Sequence, residues 1–461
     1  MTSAASPPTL SPTGRWLILV VAFLGWLFCG FHMQITQLTG QPAAIDLLSR
    51  AGEIDAKQYL VLNKQAQQHA KAKTPESQLF AADETQRKEW SALIGRWFAW
   101  MQCAFLFGAA TGGLLFGRLG DLIGRSKAMA ASIIMYSAFA AAASFAQSTV
   151  QLWFLWFLAC TGVGGMWPNG VALVSEAWSG ISRPVIAGAI GTAANIGIFL
   201  FATLAARPDF LITPEHWRWA FQVGAAPLLL GVFAFVAVPE SPRWLAARNL
   251  PASAETSSSG VFRPPLLGIT LIAILLATIP MIGGWGTANW MNPWADAAGA
   301  ALDNPDYGLK ARMNQARAIT GIIGSLLGGW IASHFGRRLT YFLVSVFSLG
   351  FAQYIFWFLI PTDASFLIWV SLLGFVSGIY FGWLPLCLPE LFPTRVRSTG
   401  AGVGFNFGRI VTATTIFATG ALSELFRGDY PLIGRITSLL FVLGMIGIWF
   451  APDTSKKQLD D

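Results

Sequence analysis

Two ionisable side chains stand inside long apolar runs of this sequence. His32 lies in GWLFCGFHMQ, within the run that begins at Trp16, and Arg409 lies in FNFGRI. An imidazole titrates near neutral pH, so His32 is a candidate for proton transfer or for hydrogen bonding to a ligand. A guanidinium presents paired N–H donors, so Arg409 is a candidate clamp for a carboxylate. The alternatives are a structural histidine inside the protein and an arginine that binds backbone carbonyls.

The elements that position these two residues are predicted to be membrane-spanning helices. The chain has 461 residues, of which 54% are hydrophobic and only 11% are charged, whereas soluble domains carry about 25% charged residues. Apolar runs of about 18 residues or more are long enough to cross a bilayer as helices. The sequence therefore predicts an all-α integral membrane protein with twelve transmembrane helices, at about 16–37, 94–117, 128–147, 151–175, 184–205, 217–238, 265–288, 315–333, 339–361, 365–388, 398–422 and 431–451.

The net charge of +7 is explained by membrane topology. Lys and Arg exceed Asp and Glu in the short segments on one side of the predicted spans, and the two signs balance on the other side. Cytoplasmic loops carry such an excess, so we expect both termini in the cytoplasm and the chain in the cell (inner or plasma) membrane. Basic residues that flank spans do not form a nucleic-acid face, and no nucleic-acid partner is expected.

Enzymatic, metal and cofactor chemistry are not predicted. The four cysteines lie in apolar segments without a CxxC pair, which favours packed thiols over disulfides or metal ligands. No acid lies deep in a predicted span, where it could serve as a catalytic base. The cysteines are Cys29, Cys103, Cys160 and Cys387.

A composition break divides the spans into six and six. NLPASAETSSSG, residues 249–260, has the small, polar composition of a linker. An outer loop at 38–93 is predicted to be polar, with one stretch, DAKQYLVLNKQAQQHAKAK, able to form a helix. The predicted organisation is a disordered N-terminus at 1–15, a first six-helix bundle at 16–246, a linker at 247–264, a second bundle at 265–451 and a tail at 452–461.

The two halves repeat. GRLGDLIGR at 117–125 recurs as GWIASHFGR at 329–337, and a glutamate precedes an arginine by seven residues twice, as Glu176 with Arg183 and Glu390 with Arg397. These features recur at nearly the same separation, which predicts two pseudo-symmetric six-helix bundles, a transporter architecture. Small residues at GxxxG spacing predict close helix contacts; they are Gly108, Gly112, Gly113, Gly117, Gly324 and Gly328.

GRLGDLIGRSK resembles the loop 2–3 signature of the major facilitator superfamily, with matches at Gly117, Asp121, Gly124, Arg125 and Lys127. PESPRWL (239–245), GWLPLCLPELFPTRVR (382–397) and PDTSKKQL (452–459) look like the sugar-porter and aromatic-acid:proton symporter branches.

The resemblance implies alternating access, with Asp121 against the start of the eleventh span at Ser398, Thr399 and Gly400. It also implies a cytoplasmic charge network that joins the bundles when the pore faces outward. The alternative is that these charges only anchor spans at the lipid headgroups. The network would comprise Asp121, Arg125, Glu176, Arg183, Glu240, Arg243, Arg337, Glu390 and Arg397.

The sequence departs from the organic-acid symporter pattern at two linked places. Cys29 and His32 replace two aspartates of the first span, and Trp156 replaces an arginine of the fourth span. Loss of an acid together with its basic partner is one coherent change, because either charge alone is costly in a membrane. Protons remain a candidate coupling ion through His32, and facilitated diffusion is as plausible. Coupling through His32 predicts that His32→Gln flattens the pH dependence of uptake.

The predicted function is secondary transport of a small polar organic solute by a monomer in the lipid bilayer. Arg409 and the span around it favour an organic anion as the small-molecule substrate. A sugar uniporter or proton symporter is the first alternative, and a non-transporting membrane sensor of the same fold is the second. GGWG (283–286) is predicted to break the seventh span. The candidate substrate-binding residues are His32, Gln34, Gln102, Asn169, Asn195, Trp285, Asn289, Trp383, Asn406 and Arg409.

Overall fold

A computed structural model describes residues 10–62, 78–178, 182–205, 207–248, 258–286, 290–291, 294–295, 298–299, 302, 309–425 and 429–454. These residues form helices and connecting turns, and none of them lies in a β-strand. Eleven helices among them are long and apolar enough to cross a membrane. The helix Arg397–Leu425, with 29 residues, is also long enough, at about 1.5 Å of rise per residue.

The twelve spans agree with the predicted fold class. In chain order they are α1 (Pro12–Arg50), α2 (Gln78–Ile123), α3 (Arg125–Ala143), α4 (Thr149–Ala177), α5 (Ser182–Ala205), α6 (Arg218–Ala237), α7 (Leu266–Pro280), α8 (Leu309–Phe335), α9 (Arg337–Phe358), α10 (Phe366–Cys387), α11 (Arg397–Leu425) and α12 (Tyr430–Phe450). As expected from GGWG, the regular α7 gives way to a π-helix at Met281–Gly286.

The two halves pair their helices in the same way. In the first bundle α4 packs on α2 and α3, and α1 packs on α5; in the second bundle α10 packs on α8 and α9, and α7 packs on α11. The bundles meet through α2 with α11 and through α5 with α8. These two contacts are equivalent under the internal repeat. The duplication inferred from the sequence motifs is therefore visible in the helix packing.

Glycines set the closest helix contacts and the sharpest turns. A Cβ added at Gly112 would lie 1.8 Å from the carbonyl oxygen of Thr161, and one at Gly324 would lie 1.9 Å from that of Phe375. Gly124 and Gly336 adopt φ values of 112° and 85° immediately before α3 and α9, a region that glycine enters without steric cost. The repeated Gly-Arg motif is thus a repeated turn between two spans.

Two predicted boundaries are wrong at the N-terminal end. Residues 12–15 are helical, not disordered, because Ser11 caps α1 and accepts a hydrogen bond from the Gly14 N–H at 3.1 Å. The predicted outer loop at 38–93 is largely helical: α1 continues to Arg50, residues 56–62 are helical and α2 begins at Gln78. Residues 1–9 and 63–77 lie outside the described part of the chain.

An apolar cluster explains why these helices extend beyond the predicted spans. The end of α1 and the beginning of α2 bury side chains against residues 54–59. The polar residues between these positions lowered the mean hydropathy and hid the helical spacing of the apolar ones. The buried members are Ala44, Ile45, Leu48, Ile54, Tyr59 and Ile94. In the predicted linker, Ser258–Phe262 is a 3₁₀ helix, and residues 249–257 lie outside the described part.

Candidate functional site

A central cavity lies between the two bundles. Its empty volume is about 1130 Å³, including its opening to solvent. Both bundles contribute to its wall, through α1, α2, α4 and α5 on one side and through α10, α11 and Met281 on the other. The polar members of the wall are Gln34, Gln37, Gln102, Asn195, Arg409 and Thr412, and the aromatic members are Trp26, Phe105, Trp167, Phe381 and Phe405. A cavity of this size with few polar groups is typical of a small-molecule site.

Arg409 supplies the positive charge of this wall. Its guanidinium carbon lies 5.4 Å from the ring centroid of Phe105 and 5.4 Å from that of Phe405. The residue is 4% exposed, and its Nη1 has no hydrogen-bond partner. Among the residues that the structure describes, no carboxylate oxygen lies within 4.0 Å of it. A buried cation without a counter-ion can bind an anion that enters the cavity.

Aromatic rings form the surface beside this charge. Phe405 lies one helical turn before Arg409 and stacks on Trp167, with ring centroids 3.9 Å apart and planes at 9°. The edge of Trp26 faces Phe405 at 6.2 Å. These rings provide flat apolar area next to the guanidinium, an arrangement that suits a planar organic group. We did not predict the ring positions from the sequence, although the i, i+4 spacing of Phe405 and Arg409 places both on one helix face.

Four of the predicted substrate-binding residues lie on the cavity wall: Gln34, Gln102, Asn195 and Arg409. The Gln37 amide donates a hydrogen bond to the Gln102 side-chain oxygen at 3.1 Å, which orients the Gln102 amide. The side chain of Trp285 and all of Asn289 lie outside the described part of the chain.

The placement of His32 differs from the prediction. The residue is 0% exposed and does not contact the cavity. Its Nδ1–H donates to the Phe28 carbonyl at 2.8 Å, and its ring stacks on Trp156 with centroids 5.5 Å apart and packs against the edge of Tyr136. The histidine and the tryptophan that replace charged residues of the family pattern are therefore in contact. Their mutual packing inside the first bundle explains why His32 does not face the substrate path.

Three further predicted residues lie outside the cavity wall because backbone carbonyls hold their donors. Asn169 donates to the Phe116 and Gly165 carbonyls at 2.8 and 2.9 Å. The Trp383 indole donates to the Arg337 carbonyl at 2.9 Å. Asn406 donates to the Gly402 carbonyl and, across the bundle interface, to the Gly164 carbonyl at 3.3 Å.

A cluster of buried charges joins the bundles on the predicted cytoplasmic side. Asp121, at the end of α2, accepts hydrogen bonds from the backbone N–H groups of Ser398 and Thr399 at 3.2 and 2.8 Å. Glu176, at the end of α4, binds Arg397 of the second bundle at 2.9 Å. Arg125 lies between these acids, 3.1 Å from Asp121 and 3.6 Å from Glu176. We call these residues, Asp121, Arg125, Glu176 and Arg397, the charge cluster.

Hydroxyl groups that follow α6 and α12 bind carboxylates at the ends of α4 and α10, in matching arrangements in the two halves. Ser241 donates to Glu176, and Thr454 donates to Glu390. Arg337 binds Glu390 at 3.1 Å, as Arg125 approaches Glu176. The repeat therefore extends from the sequence motifs to side-chain contacts.

Glu240 is the predicted network member that caps a helix. Its carboxylate accepts from the N–H groups of Arg125 and Ser126 at 3.0 and 3.1 Å, at the start of α3. Burial raises the pKa of the Glu240 carboxyl above its ordinary value, while these N–H groups and the Arg125 charge act in the opposite direction. Arg243 lies next to it at the start of the helix Pro242–Arg248, and the Arg183 side chain lies outside the described part.

Known proteins similar to this chain are transporters. The chain is 27% identical over 367 residues to the cis,cis-muconate transport protein of Acinetobacter baylyi, covering 77% of this chain and 84% of that protein. It is 24% identical over 397 residues to the benzoate transport protein of the same organism, covering 77% and 81%. A probable 4-methylmuconolactone transporter of Cupriavidus pinatubonensis is 27% identical over 354 residues, covering 75% and 79%.

Solved structures share the fold. The proton:xylose symporter XylE superposes with a TM-score of 0.72 at 16% identity, over 98% of each chain. The human organic anion transporter MFSD10 superposes with a TM-score of 0.67 at 16% identity, over 95% of this chain and 100% of that one. The family model described as Major Facilitator Superfamily matches residues 80–416. With its twelve spans, its repeated turns and its central cavity, the chain thus belongs to the major facilitator superfamily and is a multi-pass membrane transporter.

Proposed function

We propose that this transporter carries a small organic anion, with one carboxylate bound by Arg409. The observation that carries this proposal is the guanidinium on the cavity wall, which has no hydrogen-bond partner at Nη1 and no carboxylate within 4.0 Å among the described residues. Hydrogen bonds between a guanidinium and a carboxylate are charge-assisted and commonly bidentate. Such a pair neutralises a charge that is costly near the middle of a membrane.

The rest of the cavity supports a substrate that combines a carboxylate with a planar or conjugated body. Trp167 and Phe405 supply a stacked aromatic surface beside Arg409. The amides of Gln34 and Asn195 lie on the wall, where they can bind further polar groups. Relatives named for muconate and benzoate transport carry compounds of this chemistry.

The charge cluster supports alternating access. In this structure it connects α2 and α4 to the first residues of α11, so the bundles are joined on the side that we propose to be cytoplasmic. Opening that side requires the Glu176–Arg397 and Asp121–Thr399 contacts to separate. The cluster would therefore hold the outward-facing state and release it when the bundles rock, which is its gating role.

A sugar is the second candidate substrate. The wall carries four uncharged amide side chains, which suit hydroxyl groups, and the fold matches a xylose symporter. In this case Arg409 would have a structural role. The two candidates differ in whether binding requires the guanidinium.

Thermal unfolding of the purified protein distinguishes them. Ligand at about 100 times its Kd stabilises the folded state by about 2.7 kcal/mol. We expect benzoate, but not xylose, to raise the Tm of the wild type, and Arg409→Gln to abolish that shift. Arg435→Gln is the matched control, because Arg435 packs on Trp357 at 3.8 Å and is not part of the cavity wall. A Tm shift with xylose that survives Arg409→Gln would replace the anion proposal with the sugar one.

A further inference from the structure

Arg409 lies at the contact between the two bundles, not inside one of them. The ring of Phe105, on α2 of the first bundle, faces its guanidinium at 5.4 Å. One turn earlier on α11, Asn406 donates a hydrogen bond to the Gly164 carbonyl of the first bundle. Arg409 follows the first residue of α11 by twelve positions, which is about 18 Å along the helix. The charge is therefore near mid-membrane, on a surface that must change its neighbours when the bundles rock.

The wall around Arg409 contains no acid that could neutralise it in the empty protein. The polar side chains that share the cavity are uncharged, namely Gln34, Gln37, Gln102, Asn195 and Thr412. Within the described residues no carboxylate lies within 4.0 Å of the guanidinium. Arg409 lines the cavity, but only 4% of the residue is exposed to water that enters it, and its Nη1 is buried without a partner.

The free-energy cost of the unpaired charge is greatest in the step between the two open states. Alternating access passes through a form closed on both sides, in which the cavity holds less water. An unpaired arginine at the centre of a membrane helix is disfavoured by about 2.5–3.5 kcal/mol, and 1.36 kcal/mol corresponds to a factor of ten in rate. The empty protein would thus change state on the order of 100-fold more slowly than the form in which a carboxylate neutralises Arg409.

We propose that the protein is an anion exchanger, in which both the inward and the outward step require a carboxylate bound to Arg409. The exchange inference rests on the proposed function, because it needs an anionic substrate. Proton return through the cavity would offer an alternative, but His32 lies inside the first bundle against Trp156 and Tyr136, away from the wall. One anion then leaves for each anion that enters, and exchange of two monoanions moves no net charge.

Efflux from proteoliposomes tests the exchange. Vesicles containing the purified protein are loaded with labelled benzoate at equal pH on both sides, with the membrane potential held at zero. We expect external unlabelled benzoate to accelerate efflux on the order of 100-fold. Equal efflux with and without external benzoate would overturn the exchange inference and leave the anion proposal intact. The absence of benzoate movement under both conditions, together with no benzoate effect on Tm, would overturn both.

A carboxylate placed next to Arg409 tests the physical cause. Thr412 follows Arg409 by three residues on α11 and lines the same cavity, so Thr412→Glu offers a counter-ion at a spacing that permits pairing. Thr412→Gln is the matched control with similar volume and no charge. We expect unstimulated efflux to be higher in Thr412→Glu than in Thr412→Gln, and the stimulation by external benzoate to be at least tenfold lower, because only the glutamate neutralises Arg409. An equally high ratio of benzoate-stimulated to unstimulated efflux in both variants would contradict the charge argument.

Discussion

The charge cluster and the central cavity differ in whether their buried charges are paired. In the cluster each acid has partners: Glu176 binds Arg397 and Arg125, and Asp121 binds Arg125 and the start of α11. In the cavity Arg409 has an unpartnered Nη1 and no carboxylate nearby among the described residues. Both sites lie at the interface between the bundles. The charges of the cluster are paired without a ligand, whereas the charge of Arg409 is not paired with any carboxylate of the described residues.

This difference indicates how the two sites contribute to transport. Contacts that are complete in one state hold that state, because they must be broken to leave it. A charge that is incomplete in the empty protein favours the states in which a ligand is bound. On the proposed mechanism, the cluster determines which side is closed, and the cavity determines when the protein can change sides.

The largest effect is expected when the cluster loses a charge. Glu176→Gln removes the carboxylate shared by Arg397 and Arg125, and breaking a buried ion pair in this way costs about 3–5 kcal/mol. The closed state loses more than the open one, in which water solvates the same groups. Ser398→Cys reports the change, because Ser398 is fully buried in the closed state. We expect maleimide to alkylate this cysteine about tenfold faster or more when Glu176→Gln is added.

Asp46→Asn is the matched control for that experiment. Asp46 binds Arg218 at 2.7 Å within the first bundle, far along α1 from the cluster. Asp46→Asn should lower thermal stability without changing the rate at which maleimide alkylates the cysteine in Ser398→Cys. The four native cysteines are buried and should react slowly in every variant. Equal alkylation rates with and without Glu176→Gln would mean that the cluster does not hold the closed state.

The two regions also differ in how far the sequence predicted them. The acids and arginines of the cluster stand at span ends in repeated motifs, and their charge type made them recognisable. The cavity wall is built from residue types that also fill helix interfaces. Asn406 and Asn195 look alike in sequence, yet Asn406 binds backbone carbonyls and Asn195 faces the cavity. Which face of a span points inwards depends on packing, and the low polarity of these helices leaves few signals for it.

A smaller effect is expected from the aromatic side of the cavity. Phe405→Ala removes the ring that stacks on Trp167 and faces Arg409. Aromatic pairs contribute about 0.5–1.5 kcal/mol beyond area burial, so benzoate affinity should fall about two- to tenfold, much less than in Arg409→Gln. Titration of the purified protein with benzoate, followed by Tm, measures the change. Trp383→Phe should leave the affinity unchanged, since Trp383 lies outside the wall; a loss equal to that of Phe405→Ala would contradict this placement of the site.

The smallest effect on transport is expected at the residue that first suggested proton chemistry. His32→Gln removes the ring stacked on Trp156, which should lower stability by about 1 kcal/mol. Because His32 is fully buried within the first bundle and does not contact the cavity, we expect the pH dependence of benzoate uptake to stay the same. Uptake by wild type and His32→Gln across a series of pH values tests this expectation. A flattened pH profile would mean that the stack with Trp156 opens during transport and that His32 exchanges a proton there. Coupling of transport to an ion would then depend on the first bundle, and not on Arg409 alone.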